Sequence, residues 1–550
     1  MTSSAARRSL VLIAACIVGA IIVAGSACTE VNPRRLDIGW SESPQAGLNP
    51  FLARNEGDYL FLGLIYEPLC MPMMDGSVEP WIAESWEFDA DRNAWLFHLD
   101  ERAHWSDGTP LTADDVVFTF ETVYAGDFPM GSTTKAFVKS VEAIDAQTVR
   151  FAMNGGFAGA LPLLGGTLIM PRHVWADVDD VAQHPNETPV GSGPFVLEEF
   201  QPRSFLHVVR DADYWRGPAR IDEVVIRVFL NLEAEVVALM KGELDLMPDL
   251  SGSEALIPPL EEDANVEVLL DRWPHIFYLA PNHRVDPWGQ KAFRQAVDLA
   301  LDKQAILDVS LAGYAEMPLM GYVPPLVTRW ANPSVEWRGA GMTETERLAA
   351  ANGLLDDLGL TRDDAGLRRT ADGEPLAFTV SSLTYPSYIR AAELAKESLA
   401  KVGIELTVQV SDPETLYGGI VFSGERPLDW QLLVHGSTLH PDPDHFAREF
   451  APVPPNPWDN AVAFGWEHEG LQSLLRDSRT EMDDARRRQM IQDAQTLFAE
   501  ELPVITLGHR LHPAAHRTDT FTGWNPAKVI YGGMVHPLGS IVNLLSLEPI

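Results

Sequence analysis

Residues 95–120 read WLFHLDERAHWSDGTPLTADDVVFTF, and the stretch changes character halfway along. Residues 95–99 are bulky, apolar and aromatic, which predicts a strand. Asp107-Gly108 is a turn dipeptide. Thr112 then stands where a helix N-cap would, with Asp114 and Asp115 beside the positive end of the first turn. Strand, turn and capped helix therefore follow one another, and the alternation recurs downstream. Residues 224–230 (VVIRVFL) form a β-branched run that reads as a buried strand. A helical pattern over residues 233–241 follows, stopped by Gly242. Thr343-x-x-Glu346 is a capping box opening a helix to Leu358, which Gly359 ends. Residues 389–401 repeat apolar positions at helical spacing, Gly403 caps them, and residues 404–410 (IELTVQV) alternate as a strand. A long helical pattern runs from about Met482 to Glu500. Pro503 breaks it before a short strand over residues 504–507. Repeated helix-then-strand units predict α/β lobes with largely parallel sheets. No internal repeat and no Gly-, Ser- or Pro-rich linker separates them, so the lobes are expected to be joined by strands that cross between them.

Composition narrows the class. The chain has 550 residues, 46% hydrophobic and 22% charged, which is ordinary for a globular protein and excludes intrinsic disorder. It carries 41 basic against 78 acidic residues, a formal net charge of −37. A surface this negative repels phosphate backbones, so no nucleic-acid partner is expected. Forty prolines and 41 glycines are scattered through the chain, which excludes collagen and coiled coil.

The first residues read as an export signal. Arg7 and Arg8 precede LVLIAACIVGAIIVAGSA over residues 10–27, an uncharged stretch ending in small residues before Cys28. A basic start, an apolar run and a small-residue cleavage site describe a secretory signal over residues 1–27. The run also reaches the lower bound for a membrane span, so an uncleaved anchor is the alternative. Gly25-Ser26-Ala27-Cys28 resembles a bacterial lipobox, which makes Cys28 the expected lipidation site. Ile13-Ala14-Ala15-Cys16 fits that consensus better but leaves too short an apolar run. The Arg pair leaves both the general and the twin-arginine export routes open. With Cys28 acylated, Cys70 is left as the one thiol and no intrachain disulfide is possible.

Catalytic signatures are mostly missing. There is no G-x-S-x-G, H-E-x-x-H, C-x-x-C, P-loop or G-x-G-x-x-G. Ser132-Thr133-Thr134-Lys135 matches S-x-x-K without its usual companions. His509, His512 and His516 could converge on a metal, but Pro513 interrupts any helix that would align them, and no metal or cofactor is expected. A non-enzyme is expected; an exported hydrolase and a ligandless adaptor are the remoter readings.

Several ordered segments carry a more specific signal. Besides residues 95–120 these are residues 189–195 (PVGSGPF), Asp213-Tyr214-Trp215-Arg216-Gly217, Gly242-Glu243-Leu244-Asp245, the run from Phe293-Arg294-Gln295-Ala296 to Asp302-Lys303, Leu428-Asp429, Asp442-Pro443 and Leu502-Pro503. Together they resemble the extracellular solute-binding proteins of peptide-type ABC importers, the family-5 group that includes oligopeptide, dipeptide and nickel binders. The resemblance implies a bilobal periplasmic-binding-protein fold (type II) of the α/β class with an additional inserted domain. Domain I would comprise residues 29–75, 190–281 and 512–550. Domain II would be inserted at 76–189, and domain III would run over 282–511. Crossing strands near residues 277–281 and 504–510 would form the hinge. It also implies an exported monomer, tethered by its lipid at the outer face of the cytoplasmic membrane or in the periplasm. There it would pass a small solute, peptide or peptide-like, to the membrane subunits of an ABC permease.

The same resemblance points to a set of ligand-binding positions. Arg54, Asn55 and Glu56 fall where domain I meets ligand in relatives. His435, Gly436 and His440 lie where relatives carry pocket-facing residues. Gly508, His509 and Arg510 sit on the last hinge strand, Arg510 as a partner for an anionic group. Peptide-binding relatives hold the ligand's α-ammonium with an Asp three residues before the Asp-Pro pair, and here that position is Leu439. Either Asp442, Asp444 or Glu56 supplies the charge, or the solute has no free amino terminus and is a metal chelate, a sugar or an opine-like compound. Arg54→Ala and His509→Ala are expected to weaken binding without lowering the melting temperature.

Overall fold

The computed structural model describes residues 34–525 and 541–550, apart from 42, 43, 45, 55, 127, 129–131, 252, 253, 413, 414, 417–429 and 453–459. The expected export signal over residues 1–27, Cys28, Asn55 and the Leu428-Asp429 pair lie outside the described residues.

Fourteen strands carry the architecture. They are β1 (Arg35–Trp40), β2 (Ala83–Asp89), β3 (Ala94–Leu99), β4 (Val138–Ala143), β5 (Thr148–Met153), β6 (Phe195–Gln201) and β7 (Phe205–Arg210). The remainder are β8 (Glu223–Val228), β9 (Leu246–Met247), β10 (Val266–Pro281), β11 (Ala377–Leu383), β12 (Glu405–Ser411), β13 (Leu432–Thr438) and β14 (Ile505–Arg517). One large sheet runs β12-β11-β13-β10-β14-β9-β1-β8-β7-β6, with the two-residue strand Ala315–Glu316 added on β14. A separate antiparallel sheet has the order β2-β3-β5-β4.

The large sheet is mixed, not largely parallel as the helix–strand alternation predicts. Parallel pairing occurs where a helix returns the chain. Pro386–Ala400 links β11 to β12, and Leu232–Met240 links β8 to β9, both of which flank β1. The long strands β10 and β14 arrive from far apart in sequence, no short crossover fixes their direction, and they pair antiparallel. Their register runs from Val266 opposite Arg517 to Leu279 opposite Ile505, with irregularities after Arg272 and Phe277. β14 continues past both the short strand read over residues 504–507 and the hinge strand expected near 504–510. Pro513, read as interrupting a helix, stays in register, and its carbonyl accepts the Leu250 N–H at 2.9 Å.

Separate apolar cores lie along this frame. Leu269 and Ala514 join the core under β1, β7 and β8. Phe277, Leu279, Ile505 and Leu507 join a second core with the helices Lys291–Ala300 and Pro386–Ala400. Ile276 and Tyr278 join a third with Phe446, Leu475 and Ile491. A fourth fills the small sheet, from Phe97, Phe120 and Phe151 out to Phe157 and Leu164. β10 and β14 thus pass through the cores of both halves.

The local signals hold. Thr112 precedes helix Ala113–Ala125, and its N–H donates to Asp115 at 2.8 Å. Gly108 adopts φ +84° in the turn before it, a conformation that favours glycine. Thr343 and Glu346 bond reciprocally at the start of Glu344–Asp357. Cys70 is buried and unpaired, its thiol pushed up by burial. Among the described residues no helix is long and apolar enough to cross a membrane.

Candidate functional site

Four of the expected positions meet in the middle of three adjacent strands. In β13, His435 stands opposite Tyr278 and Gly436 opposite Phe277; across β10, Phe277 faces Gly508 and Ile276 faces His509 of β14. Gly436 has no room for a side chain. A Cβ there would lie 2.5 Å from His275 Cε1 and 2.6 Å from both His275 Nε2 and the Tyr388 hydroxyl. An imidazole and a phenol therefore meet over its backbone. Tyr388 packs edge-on against Phe277, 5.2 Å between ring centres, and Tyr385 beside it is 53% exposed. His275 Nδ1 makes no hydrogen bond among the described residues. Burial, then the charge of Arg510 and the neighbouring His435, His509 and His512, holds His275 far below its ordinary pKa.

The rings around this point are neutral imidazoles. His435 lies flat on Tyr278, 5.3 Å between centres and 3° between planes, and burial lowers it to about 4. His509 is 3% exposed, with Nδ1 3.3 Å from the His275 carbonyl and Nε2 3.4 Å from that of Leu319. It is a packed member of the strand pair and not a free wall residue. Gly508 faces the second core, where a Cβ would meet Leu307 at 2.5 Å, so it lines packing and not a cleft. The Arg510 guanidinium is bonded to Glu254.

Arg54, His440, Asp442 and Asp444 make their contacts elsewhere. Arg54 is exposed, and its N–H donates to Asp58 at 2.9 Å. Glu56 opens the helix Glu56–Leu62. His440 Nδ1 accepts the Asp442 N–H at 3.1 Å, and burial takes its pKa to about 3. Asp442 is held by both Arg487 guanidinium nitrogens at 2.7 and 2.9 Å; Asp444 accepts from Arg479 at 2.7 Å. Two of the three carboxylates proposed to replace the missing Asp are thus neutralised by arginines. Leu439 is buried in the third core, its N–H on the Pro274 carbonyl at 2.6 Å. Asp442 and Arg487 also line a cavity of about 390 Å³ together with Trp86, Trp95, Arg329 and Trp330.

The three C-terminal histidines do not converge. His512 stacks on Trp273 at 4.7 Å and lies 3.2 Å from Asp249; His516 stacks on Trp524 at 4.6 Å. No group of three His, Cys, Asp or Glu able to hold a metal occurs among the described residues. Sequence reading missed His275, Tyr278 and Tyr388. The nearest signal for them was the Tyr385-Pro-x-Tyr388 helix start and the aromatic run after Pro274.

Comparison with known proteins bears on the family and the fold. Residues 77–452 match the profile of "Bacterial extracellular solute-binding proteins, family 5 Middle". Di/tripeptide-binding protein 2 of Pseudomonas aeruginosa (strain UCBPP-PA14) is 24% identical over 544 residues, covering 94% of this chain and 95% of that protein. The probable ABC transporter periplasmic-binding protein SapA of Escherichia coli (strain K12) is 26% identical over 546 residues, 93% and 94% of the two chains. Heme-binding protein A of Haemophilus influenzae (strain ATCC 51907 / DSM 11121 / KW20 / Rd) is 30% identical over 258 residues, 43% of this chain and 47% of that one. Among solved structures, the ABC transporter substrate binding protein CtaP of Listeria monocytogenes superposes with a TM-score of 0.77 at 22% identity, covering 94% of this chain and 99% of that one. NikA of Brucella suis in complex with Fe(III)-EDTA does so with 0.76 at 20%, covering 94% and 100%. On the matched residues and the strand frame together, the chain belongs to the bacterial extracellular solute-binding proteins of family 5.

Proposed function

We propose that the chain is the solute-capturing component of an ABC importer, with no bond made or broken in its cargo. Residues 29–75, 190–281 and 512–550 with the insert 76–189 form one side, and residues 282–511 the other. Solute is taken between them at the His275–Tyr388–Gly436 point, the sides close, and the closed form docks on a membrane permease. Cys28, acylated, tethers the mature protein at the outer face of the membrane. The observation that carries this reading is that β10 and β14 run through the cores of both halves and meet the candidate ligand positions at their midpoint. Strands of that kind bend as a hinge without parting the cores they join.

The cargo is small and peptide-like, a reading supported by the di/tripeptide-binding relative. One observation favours a second reading, a solute without a free amino terminus such as a metal chelate. Leu439 replaces the expected Asp, while Asp442 and Asp444 are taken by Arg487 and Arg479. An ammonium buried there without a carboxylate costs about 3–5 kcal/mol. Thermal-shift titration with Ala-Ala, N-acetyl-Ala-Ala, hemin and Ni(II)–histidine separates the two. A ligand at a hundredfold excess over Kd stabilises by about 2.7 kcal/mol. A shift with Ala-Ala supports the peptide reading; a shift with the acetylated peptide or a chelate alone supports the second. Recovery of any of these chemically altered would end the capture reading.

A further inference from the structure

The two halves touch at a second place besides the crossing strands, where backbone and charge are fitted closely. On one wall, residues 154–160 run along the small sheet, with Phe157 and Ala160 in its apolar core. On the other, Asp442, Asp444 and the turn before helix Asp484–Glu501 sit over the core of Phe446, Leu475 and Ile491. These walls belong to different cores, yet the Ala158 N–H donates to the Arg479 carbonyl at 2.8 Å. Glycines bring the walls this close. A Cβ on Gly156 would lie 3.0 Å from the Thr480 carbonyl, and one on Gly159 3.1 Å from Asp442 Oδ1. The Arg479 side chain crosses the seam. Its guanidinium lies 5.1 Å from the Phe137 ring centre and 5.8 Å from that of Phe157, beside a pair stacked at 3.9 Å. Asp444 fixes it there, accepting from Nε at 2.7 Å.

We infer that Arg479, held by Asp444 against Phe137 and Phe157, positions the two halves in the closed arrangement and sets how tightly solute is retained, with Arg487 Nη1 adding a hydrogen bond to the Ala158 carbonyl at 3.4 Å across the same seam. The inference rests on the capture reading. Every partner in this contact is protein, so it favours closure with or without solute. Because apparent affinity scales with the fraction of molecules in the competent form, a residue that holds the halves together lowers the apparent Kd without touching the cargo. A planar guanidinium packed beside two stacked rings, with the Arg479 backbone carbonyl taken by a backbone N–H, suits that work: the contact is orienting, and it parts without leaving an unpaired buried charge, since Asp444 stays with Arg479 on the same wall.

The test compares three variants in solute-free protein by small-angle X-ray scattering and amide exchange, with circular dichroism to confirm the fold. Arg479→Ala should raise the radius of gyration and speed exchange of the Ala158 amide by about tenfold. Arg479→Lys keeps the charge but not the flat ring contact and should fall between. Gly156→Phe is a wedge that forces the walls apart whatever Arg479 does. If the wedge expands the molecule and Arg479→Ala does not, the role assigned to Arg479 is wrong while the capture reading stands. If neither variant expands it, the halves do not part, and both fall together.

Discussion

Replacing Glu67 gives the sharpest test of how the Asp213–Gly217 motif works. Glu67 is fully buried and accepts hydrogen bonds from Trp81 Nε1 at 2.8 Å, Trp215 Nε1 at 2.9 Å and the Tyr214 hydroxyl. Arg216 lies over the Trp81 ring at 4.1 Å. Glu67→Leu removes the common acceptor and leaves three buried donors unsatisfied. Each orphaned donor costs about 1–3 kcal/mol, and the three are coupled, so the loss is about 3–5 kcal/mol and not the full sum. For a cooperative unit of about 200 residues that lowers Tm by roughly 8–16 °C. Glu67→Gln keeps an acceptor but turns an N–H₂ toward one donor, for about 1–3 kcal/mol. The two variants also differ from the parent in pH dependence. Burial, against the pull of its three donors and Arg216, raises Glu67 from 4.5 to about 7. A carboxyl with a raised folded pKa contributes stability that is complete below about 4.5 and lost as pH climbs through 7, about 3 kcal/mol in all. Calorimetry of parent and Glu67→Gln from pH 4.5 to 8 should therefore show the parent's advantage shrinking as pH rises. An advantage that is flat across that range would refute the burial argument.

Other outcomes follow from buried charges and close contacts. Asp442→Asn strands the Arg487 guanidinium in the interior and should cost about 3–5 kcal/mol in chemical denaturation. Arg54→Ala, at an exposed position, should stay within about 0.5 kcal/mol. His509→Ala was expected from sequence to spare stability; its burial between two carbonyls instead predicts a measurable fall in Tm alongside any effect on binding. His283 and His440 are lowered to about 3 by burial, and His435 and His445 to about 4. They stay neutral when folded and take protons when unfolded, so their contribution, complete above about 6.5, is lost as pH falls. The parent's Tm should drop between pH 6.5 and 5, the reverse of the Glu67 trend. Gly436→Ala should displace His275 or Tyr388 and weaken solute binding more than it lowers Tm.

What the sequence made legible was local. The strand–turn–helix of residues 95–120 and the Thr343–Glu346 box depend on contacts a few residues apart, and both stand as read. Sheet direction depended on β10 meeting β14 across more than two hundred residues, which no periodicity records. The Tyr214-Trp215 motif could be matched, but its partner Glu67 lies 147 residues away. The same distance problem governs the site. His435, Gly436, His509 and Arg510 were singled out through the family resemblance and not through any local pattern. His275 was hidden behind Pro274, and nothing near Asp442 announced that Arg487 would neutralise it.

The place of β14 in the large sheet has a consequence for synthesis. It lies between β10 and β9, and it is the last of the fourteen strands to leave the ribosome. Until residues 505–517 emerge, the chain carries two half-sheets, each with a bare backbone rim that invites pairing with other chains. A polypeptide truncated before Ile505 therefore carries two sticky half-sheets and is not a smaller receptor, and folding waits on full translation.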